Sequence, residues 1–365
     1  MKLLNLKLSD FRNYSYTEFV PDRNINVIVG KNAIGKTNLL EAVYILTCGK
    51  SFRTNKESEL INLDSTESIL KGEVESFGYE DELKIELNSL GKSKYFINEE
   101  EMSLRNYRRD MASVLFSPID LNMVKLSPQE RRKYIDNLIS KIDPIYEYNL
   151  NKYRKILNER NKLLKNIKDK SLIEIYDFQL SEYGVKILRT RLNIIKILEE
   201  FAKKHFRKLS SGQDFKITYL STVKLSADED EMKKMFYSQL QSKISKDIEL
   251  KYTTIGPHRD DIDFKIDNLS VKSFGSQGEV RSTVLSLTLA EMDLIKKVLK
   301  SEPILLLDDV FSELDKNRAL YFTDSIKDFQ TFITSTDLNI DNFKNLESSF
   351  FEIKESKLIK KTDWR

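Results

Sequence analysis

The pattern of hydrophobic and polar positions changes texture twice along the chain. Up to about residue 125, short apolar runs alternate with turns. Ile25 to Val29 is a β-branched run that stops at Gly30, which predicts a buried strand. Lys36 to Thr47 then carries Leu39, Leu40, Val43, Tyr44 and Leu46 at helical spacing. Three alternating runs, at 69–77, 82–88 and 94–97, are separated by Gly78 and Gly91 and predict a small antiparallel meander. A further short strand at 113–116 is closed by Pro118.

From about 126 to 254 the period becomes helical. Ser127-Pro128-Gln129-Glu130 is a helix start, with a serine cap and proline in the first turn, and Asp143-Pro144 repeats it. Amphipathic runs near 144–168 and 172–206 flank the polar stretch Lys168-Asp169-Lys170-Ser171 and predict two antiparallel helices. After 255 the mixed texture returns: a helix near 276–300, a strand Ile304 to Leu307 ending at Asp308-Asp309, a helix near 316–327 and a strand Thr331 to Thr334. The expected organisation is one discontinuous α/β head, 1–125 with 255–365, carrying an inserted mainly helical arm at 126–254.

Composition narrows the class. With 365 residues, 40% hydrophobic and 32% charged, the chain has room for two domains and is not disordered. Its 60 basic and 57 acidic residues nearly cancel, so any nucleic-acid surface must be local. Cys48 is the single cysteine, which excludes an internal disulfide and fits a reducing compartment. Residues 1–8 lack the apolar region of a signal peptide, and no apolar run approaches the roughly 18 residues of a membrane span. A cytoplasmic protein without membrane spans is expected.

The strongest chemical signal is Gly30-Lys31-Asn32-Ala33-Ile34-Gly35-Lys36-Thr37, which fits G-x-x-x-x-G-K-[ST] at every position. Glycines let the backbone curl so that successive N–H groups face phosphate oxygens, and the following helix adds its positive end. Lys36 would reach the β- and γ-phosphates, and the Thr37 hydroxyl would ligate Mg²⁺. The preceding apolar strand and following helix supply the required context. The second signal is the strand ending in Asp308-Asp309. Asp308 would hold Mg²⁺ through water, and Asp309 would orient and deprotonate the attacking water. Ser312-Glu313-Leu314-Asp315 follows and is similar to the D-loop of ABC ATPases. Gly275-Ser276-Gln277-Gly278-Glu279 opens the long helix and resembles the ABC signature, with Ser276 placed as a cap. An Asn-Lys-x-Asp guanine motif is absent, which argues against a GTPase, and the signature argues against a small-molecule kinase.

Further blocks extend the likeness along nearly the whole chain. They are Asp10-Phe11-Arg12-Asn13-Tyr14, Thr37-Asn38-Leu39-Leu40-Glu41-Ala42, Gly49-Lys50-Ser51-Phe52-Arg53-Thr54, Phe116-Ser117-Pro118 with Asp120-Leu121, Ser127-Pro128 with Arg131-Arg132, Gly256-Pro257-His258-Arg259-Asp260-Asp261, and Leu307 to Asp315. In these blocks the chain resembles the RecF family of ABC-type, SMC-like ATPases. The resemblance implies an ABC-type P-loop head of mixed sheet with flanking helices, an antiparallel meander and an inserted helical arm. It implies ATP and Mg²⁺ as cofactors, with Ser276 and Gly278 meeting the γ-phosphate held by the other subunit of an ATP-driven homodimer. It also implies slow, DNA-stimulated hydrolysis, non-sequence-specific binding at gapped DNA, and action with RecO and RecR to load RecA in replication restart and the SOS response. Transporter subunits lack these blocks, and chromosome proteins of the SMC type need coiled-coil arms far longer than 126–254.

The chain departs from the general ABC pattern at three positions: Asp309 replaces Glu, Glu279 stands where transporters carry Gln, and Thr336, before Asp337, stands where a switch His is usual. His258, beside Arg259 and two aspartates, reads better as part of a salt-bridged turn than as a nucleotide or DNA ligand. For DNA, residues 131–170 hold twelve basic and five acidic residues, and 186–208 hold eight and two. Lys203, Lys204, Arg207 and Lys208 form the densest cluster and suit phosphate contacts, with a solvated helix face as the competing reading.

Overall fold

A computed structural model describes residues 1–108, 111–166, 171–210, 212–311, 314–336, 347–354 and 357–361. The polar break at Lys168-Asp169-Lys170, the Ser312-Glu313 pair of the D-loop-like segment, and Asp337 lie outside the described residues. The chain forms two compact units, 1–121 with 284–365, and 122–283.

In the first unit, β1 (Lys2–Phe11) and β2 (Tyr14–Phe19) form a hairpin, and β3 (Ile25–Val29) leads into α1 (Lys36–Cys48). The meander follows as β4 (Glu67–Ser76), β5 (Tyr79–Asn88), β6 (Lys94–Ile97) and β7 (Glu100–Met102). Then come α2 (Leu104–Tyr107), β8 (Ser113–Phe116) and α3 (Pro118–Lys125), the last running into the second unit. That unit holds α4 (Pro128–Ile142), α5 (Pro144–Lys165), α6 (Ser171–Leu209), β9 (Phe215–Leu220), α7 (Glu229–Leu250), β10 (Asp261–Ile266), β11 (Leu269–Ser270) and α8 (Val271–Phe274). Helix α9 (Gln277–Leu299) leads back to the first unit, which adds β12 (Ile304–Asp308), α10 (Lys316–Ile326), β13 (Thr331–Ser335), β14 (Ser348–Lys354) and β15 (Lys357–Lys361).

Two sheets organise the first unit. One is antiparallel, in the order β2-β1-β4-β5-β6-β7. The other runs β15-β14-β3-β13-β12-β8, and all its pairs are parallel except β14 with β15. Helix α1 is buried at every position from Leu39 through Cys48, including Glu41 and Thr47, so it belongs to the core. It packs with Leu3, Leu6 and Leu8 of β1, Leu70 and Val74 of β4, and Leu306 and Phe332 of the parallel sheet.

The second unit differs from the two-helix arm that its sequence suggests. It has a three-stranded antiparallel sheet, β11-β10-β9, beside its helices. Strand β10 pairs with β9 over its whole length, Asp261 opposite Leu220 through Ile266 opposite Phe215. That pairing ties 255–283 to the arm, so the expected return to the head at 255 moves to 284. Strand β10 alternates half-buried and buried positions, and β9 alternates over Phe215 to Thr218, a period-two signal surrounded by helical texture.

The arm helices are pinned by buried ion pairs. Arg160 on α5 is fully buried and donates to Asp177 of α6 at 2.5 Å, and to Asp247 of α7 and Thr253 at 2.8 Å each. Arg191 on α6 joins Asp136 of α4, the Tyr219 hydroxyl of β9 and the Pro257 carbonyl. Burial pushes the Asp177 carboxyl up, against the opposing pull of Arg160. Arg160→Met should destabilise the arm by about 3–5 kcal/mol, because two buried carboxylates lose their counter-charge. Urea unfolding measures this, and a midpoint unchanged from wild type would show that the cluster does not hold the helices.

Candidate functional site: a phosphate loop beside paired acids

The strand order β3-β13-β12 sets the geometry. All three strands are parallel, so their carboxyl ends share one edge of the sheet, where open α/β sheets bind ligands. The loop Gly30 to Gly35 leaves β3 at that edge, and Asp308 and Asp309 leave β12 one strand beyond β13. The loop tip, Lys31-Asn32-Ala33, is exposed, and Ile34 is half-buried. Ala33 and Gly35 have φ of 64° and 113°, left-handed positions of the kind that lets successive backbone N–H groups face an anion.

The loop is braced from behind by the β1–β2 turn. Asn13 Nδ2 donates to the Ile34 carbonyl at 3.1 Å, and the Tyr14 hydroxyl donates to the Gly35 carbonyl at 3.0 Å. A Cβ on Gly35 would lie 2.6 Å from Asn13 Nδ2, so that position demands glycine for space as well as for its φ. Asn38 Nδ2 donates to Asn13 Oδ1 at 2.7 Å, and Arg53 donates to Asn38 Oδ1 at 2.7 Å. Beneath them the Glu41 carboxylate is fully buried, gripped by Arg12 at 2.9 and 3.0 Å, by Arg53 at 3.3 Å and by the Ser51 hydroxyl at 2.5 Å. Motif reading assigned no role to these residues. Their signal lies in the blocks around Asn13, Asn38, Glu41 and Arg53, whose meaning depends on contacts far apart in sequence.

Lys36 folds back on the loop, donating to the Gly30 carbonyl at 2.6 Å and to the Lys31 carbonyl at 3.0 Å. Burial pushes its ammonium down, against the raising pull of the Asp309 and Asp308 carboxylates. The Thr37 hydroxyl lies 3.0 and 3.1 Å from the two oxygens of Asp308. One hydroxyl and one carboxylate thus converge as hard oxygen donors. That set fits Mg²⁺, which keeps several waters and takes phosphate oxygens as its other ligands. Among the described residues no group of three or more His, Cys, Asp and Glu side chains is placed to hold a metal ion, and such a magnesium site requires none. Asp309 stands at φ 55°, a left-handed position directly after the strand. Thr336 lies one residue past the end of β13. The first unit therefore brings Gly30 to Thr37, Asp308 and Asp309 together.

Ser276 and Gly278 belong to the second unit. Ser276 caps α9: the Glu279 N–H donates to its hydroxyl at 3.2 Å, while Glu279 Oε2 accepts from the Ser276 N–H and hydroxyl at 2.8 Å each. This reciprocal pair is a capping box, and it gives the unusual Glu279 a structural reason. The Ser276 N–H and hydroxyl, then Gln213, hold the Glu279 carboxyl below its usual range.

His258 is half-buried, paired with the Tyr153 hydroxyl at 2.8 Å and the Thr253 carbonyl at 3.1 Å. Burial pushes its imidazole down to about 3, so it is neutral near pH 7. Gly256 beside it has φ 125°, and a Cβ there would meet the Tyr153 hydroxyl at 2.4 Å. This loop is a packing device of the arm. Lys204, Arg207 and Lys208 are exposed in the last turns of α6, whereas Lys203 is half-buried and 3.2 Å from Glu199. Much of the surrounding basic excess is committed internally: Arg131 to Asp261, Arg154 to Asp136, Arg189 to Glu229, and Arg160 and Arg191 to the buried pairs above.

The family described as RecF/RecN/SMC N terminal domain matches residues 2–357. The chain is 39% identical to the DNA replication and repair protein RecF of Clostridium tetani (strain Massachusetts / E88), covering 97% of this chain and 98% of the relative. It is 39% identical to RecF of Bacillus mycoides (strain KBAB4), covering 92% of each. The solved recombination mediator protein RecF-ATPrS of the RecFOR pathway superposes with a TM-score of 0.91 at 33% identity, covering 98% of this chain and 97% of that one. The head of an Smc protein bound to the C-winged helix domain of ScpA shares the fold, with a TM-score of 0.58 at 16% identity and coverage of 99% and 98%. With a phosphate loop and paired acids at one sheet edge, and relatives matching along its whole length, the chain belongs to the RecF family of DNA replication and repair proteins.

Proposed function

We propose that this chain is an ATP-driven switch of recombinational DNA repair. In this reading it binds gapped DNA at single-strand–double-strand junctions without reading sequence and acts with RecO and RecR to promote RecA loading, replication restart and SOS induction. The observation that carries the reading is the meeting of Lys36, Thr37, Asp308 and Asp309 at one sheet edge. Lys36 and the loop N–H groups would bind the ATP phosphates. Thr37 and Asp308 would hold Mg²⁺, which supplies charge neutralisation at the transferred phosphate. Asp309 would orient water and take its proton. Ser276 and Gly278 would complete the site of a second copy, so that ATP favours the dimer and slow hydrolysis, stimulated by DNA, resets it. Similarity to solved RecF structures named for ATP and ATPrS supports the nucleotide. No described helix is long and apolar enough to cross a membrane.

Gel filtration with and without ATP and gapped DNA tests the whole reading. A shift to dimer with ATP and co-elution with DNA is expected, and a monomer under every condition would end it. For the DNA surface, reversing Lys203, Lys204, Arg207 and Lys208 to Glu should weaken binding to all sequences. The three exposed members lead us to expect a salt dependence flatter by about 3 log units per log unit of salt. ATP binding should persist, and an unchanged slope would move the DNA surface elsewhere.

A further inference from the structure

We infer that Thr334 is a positioning residue that holds both acids of the hydrolytic site through one hydroxyl, and this rests on the nucleotide reading above. Thr334 lies on β13, the strand between the phosphate-loop strand β3 and the acid strand β12. In register it stands opposite Asp308 on one side and Ile28 on the other. Its side chain is buried, with 1% of the residue exposed, so its hydroxyl must find partners within the protein. The near partners are the two acids, and the Leu307 carbonyl lies farther off at 3.4 Å. Oγ1 lies 2.7 Å from Asp308 Oδ1 as donor, and it accepts from the Asp309 N–H at 3.1 Å. The Thr334 carbonyl accepts from the same N–H at 3.2 Å.

This arrangement resolves two geometric demands at once. Asp308 must present its carboxylate to a metal in a defined orientation, and a hydrogen bond to Oδ1 from a fixed strand orients it, with the Thr37 hydroxyl 3.0 Å from Oδ1 and 3.1 Å from Oδ2. Asp309 stands in the left-handed region at φ 55°, where its backbone must be held by its surroundings. Two acceptors of Thr334 hold its N–H. Serine could replace threonine in this task, whereas valine would keep the shape and lose every side-chain contact to the acids.

Partners that orient metal ligands alter metal affinity or activity by about 10–100-fold when removed. The test compares Thr334→Val, Thr334→Ala and Thr334→Ser with wild type in two measurements. Mn²⁺ binding in the presence of ADP, read by electron paramagnetic resonance, should weaken at least about tenfold in the Val and Ala variants and stay within about threefold of wild type in Ser. The rate of ATP hydrolysis should follow the same order, while binding of metal-free ATP stays near wild type. If Val proves unfolded by thermal melt, the Ala–Ser difference carries the decision. Equal Mn²⁺ affinity in the Ala and Ser variants would overturn the inference, because the hydroxyl would then contribute nothing. A wild-type chain that binds no Mn²⁺ with ADP would instead overturn the nucleotide reading itself.

Discussion

Lys36→Ala should abolish ATP binding while leaving the fold intact. Charge-assisted hydrogen bonds contribute about 1.5–3 kcal/mol each, so loss of two to the β- and γ-phosphates weakens affinity by about 100-fold or more. In the ligand-free chain the ammonium is bonded to the carbonyls of Gly30 and Lys31. Lys31 is exposed and Gly30 half-buried, so water can replace the ammonium there, and stability should change little. Titration with a fluorescent ATP analogue measures the affinity, and a thermal melt checks the fold. Affinity within a few-fold of wild type would remove the loop from the site.

Asp309→Asn should separate the two acids by role. Asparagine is isosteric and is among the few residues that tolerate the left-handed backbone of this position, so the exchange removes the base without moving the chain. Loss of a general base slows the chemical step by about 10²–10⁴-fold, while Asp308 and Thr37 remain to hold the metal. ATP then stays intact and the closed dimer accumulates. Ser276→Arg acts oppositely: it blocks the face that would meet a partner's phosphate and leaves the phosphate loop of its own subunit untouched. It also removes the serine of the α9 capping box, at a cost of about 1 kcal/mol, too little to unfold the arm. Analytical ultracentrifugation with ATP and Mg²⁺ distinguishes the variants. An Asp309→Asn protein that stays monomeric at saturating ATP, or a Ser276→Arg protein that dimerises as wild type does, would refute the shared-site mechanism.

The parts of the site legible in sequence are those whose chemistry is local. The phosphate loop is one contiguous turn between an apolar strand and a helix, and Asp308-Asp309 directly ends an apolar run, so spacing alone locates them. The braces are not local. Asn13 meets Ile34, and Thr334 meets Asp308, only because strands distant in sequence lie side by side. The arm shows the same limit. Phe215 to Thr218 alternates in period two, yet the partner strand begins at Asp261, and no local pattern announces that pairing. Counting basic residues failed to separate surface from core, because the fate of Arg131, Arg160 and Arg191 is decided by Asp261, Asp177, Asp247 and Asp136.

The position of β3 has a consequence for synthesis. Its neighbours in the sheet are β13 and β14, so both edges of Ile25–Val29 wait for strands translated far later. Roughly 300 residues separate β3 from β13, which at about 5–20 residues per second amounts to roughly 15–60 s with an apolar strand unpaired on both sides. The arm unit, continuous from 122 to 283, has its own sheet and ion pairs within its own residues and can close while the head is still incomplete. Nascent chains of this protein therefore carry a sticky, half-built nucleotide-binding edge for most of their translation, the stage at which chaperone cover matters most.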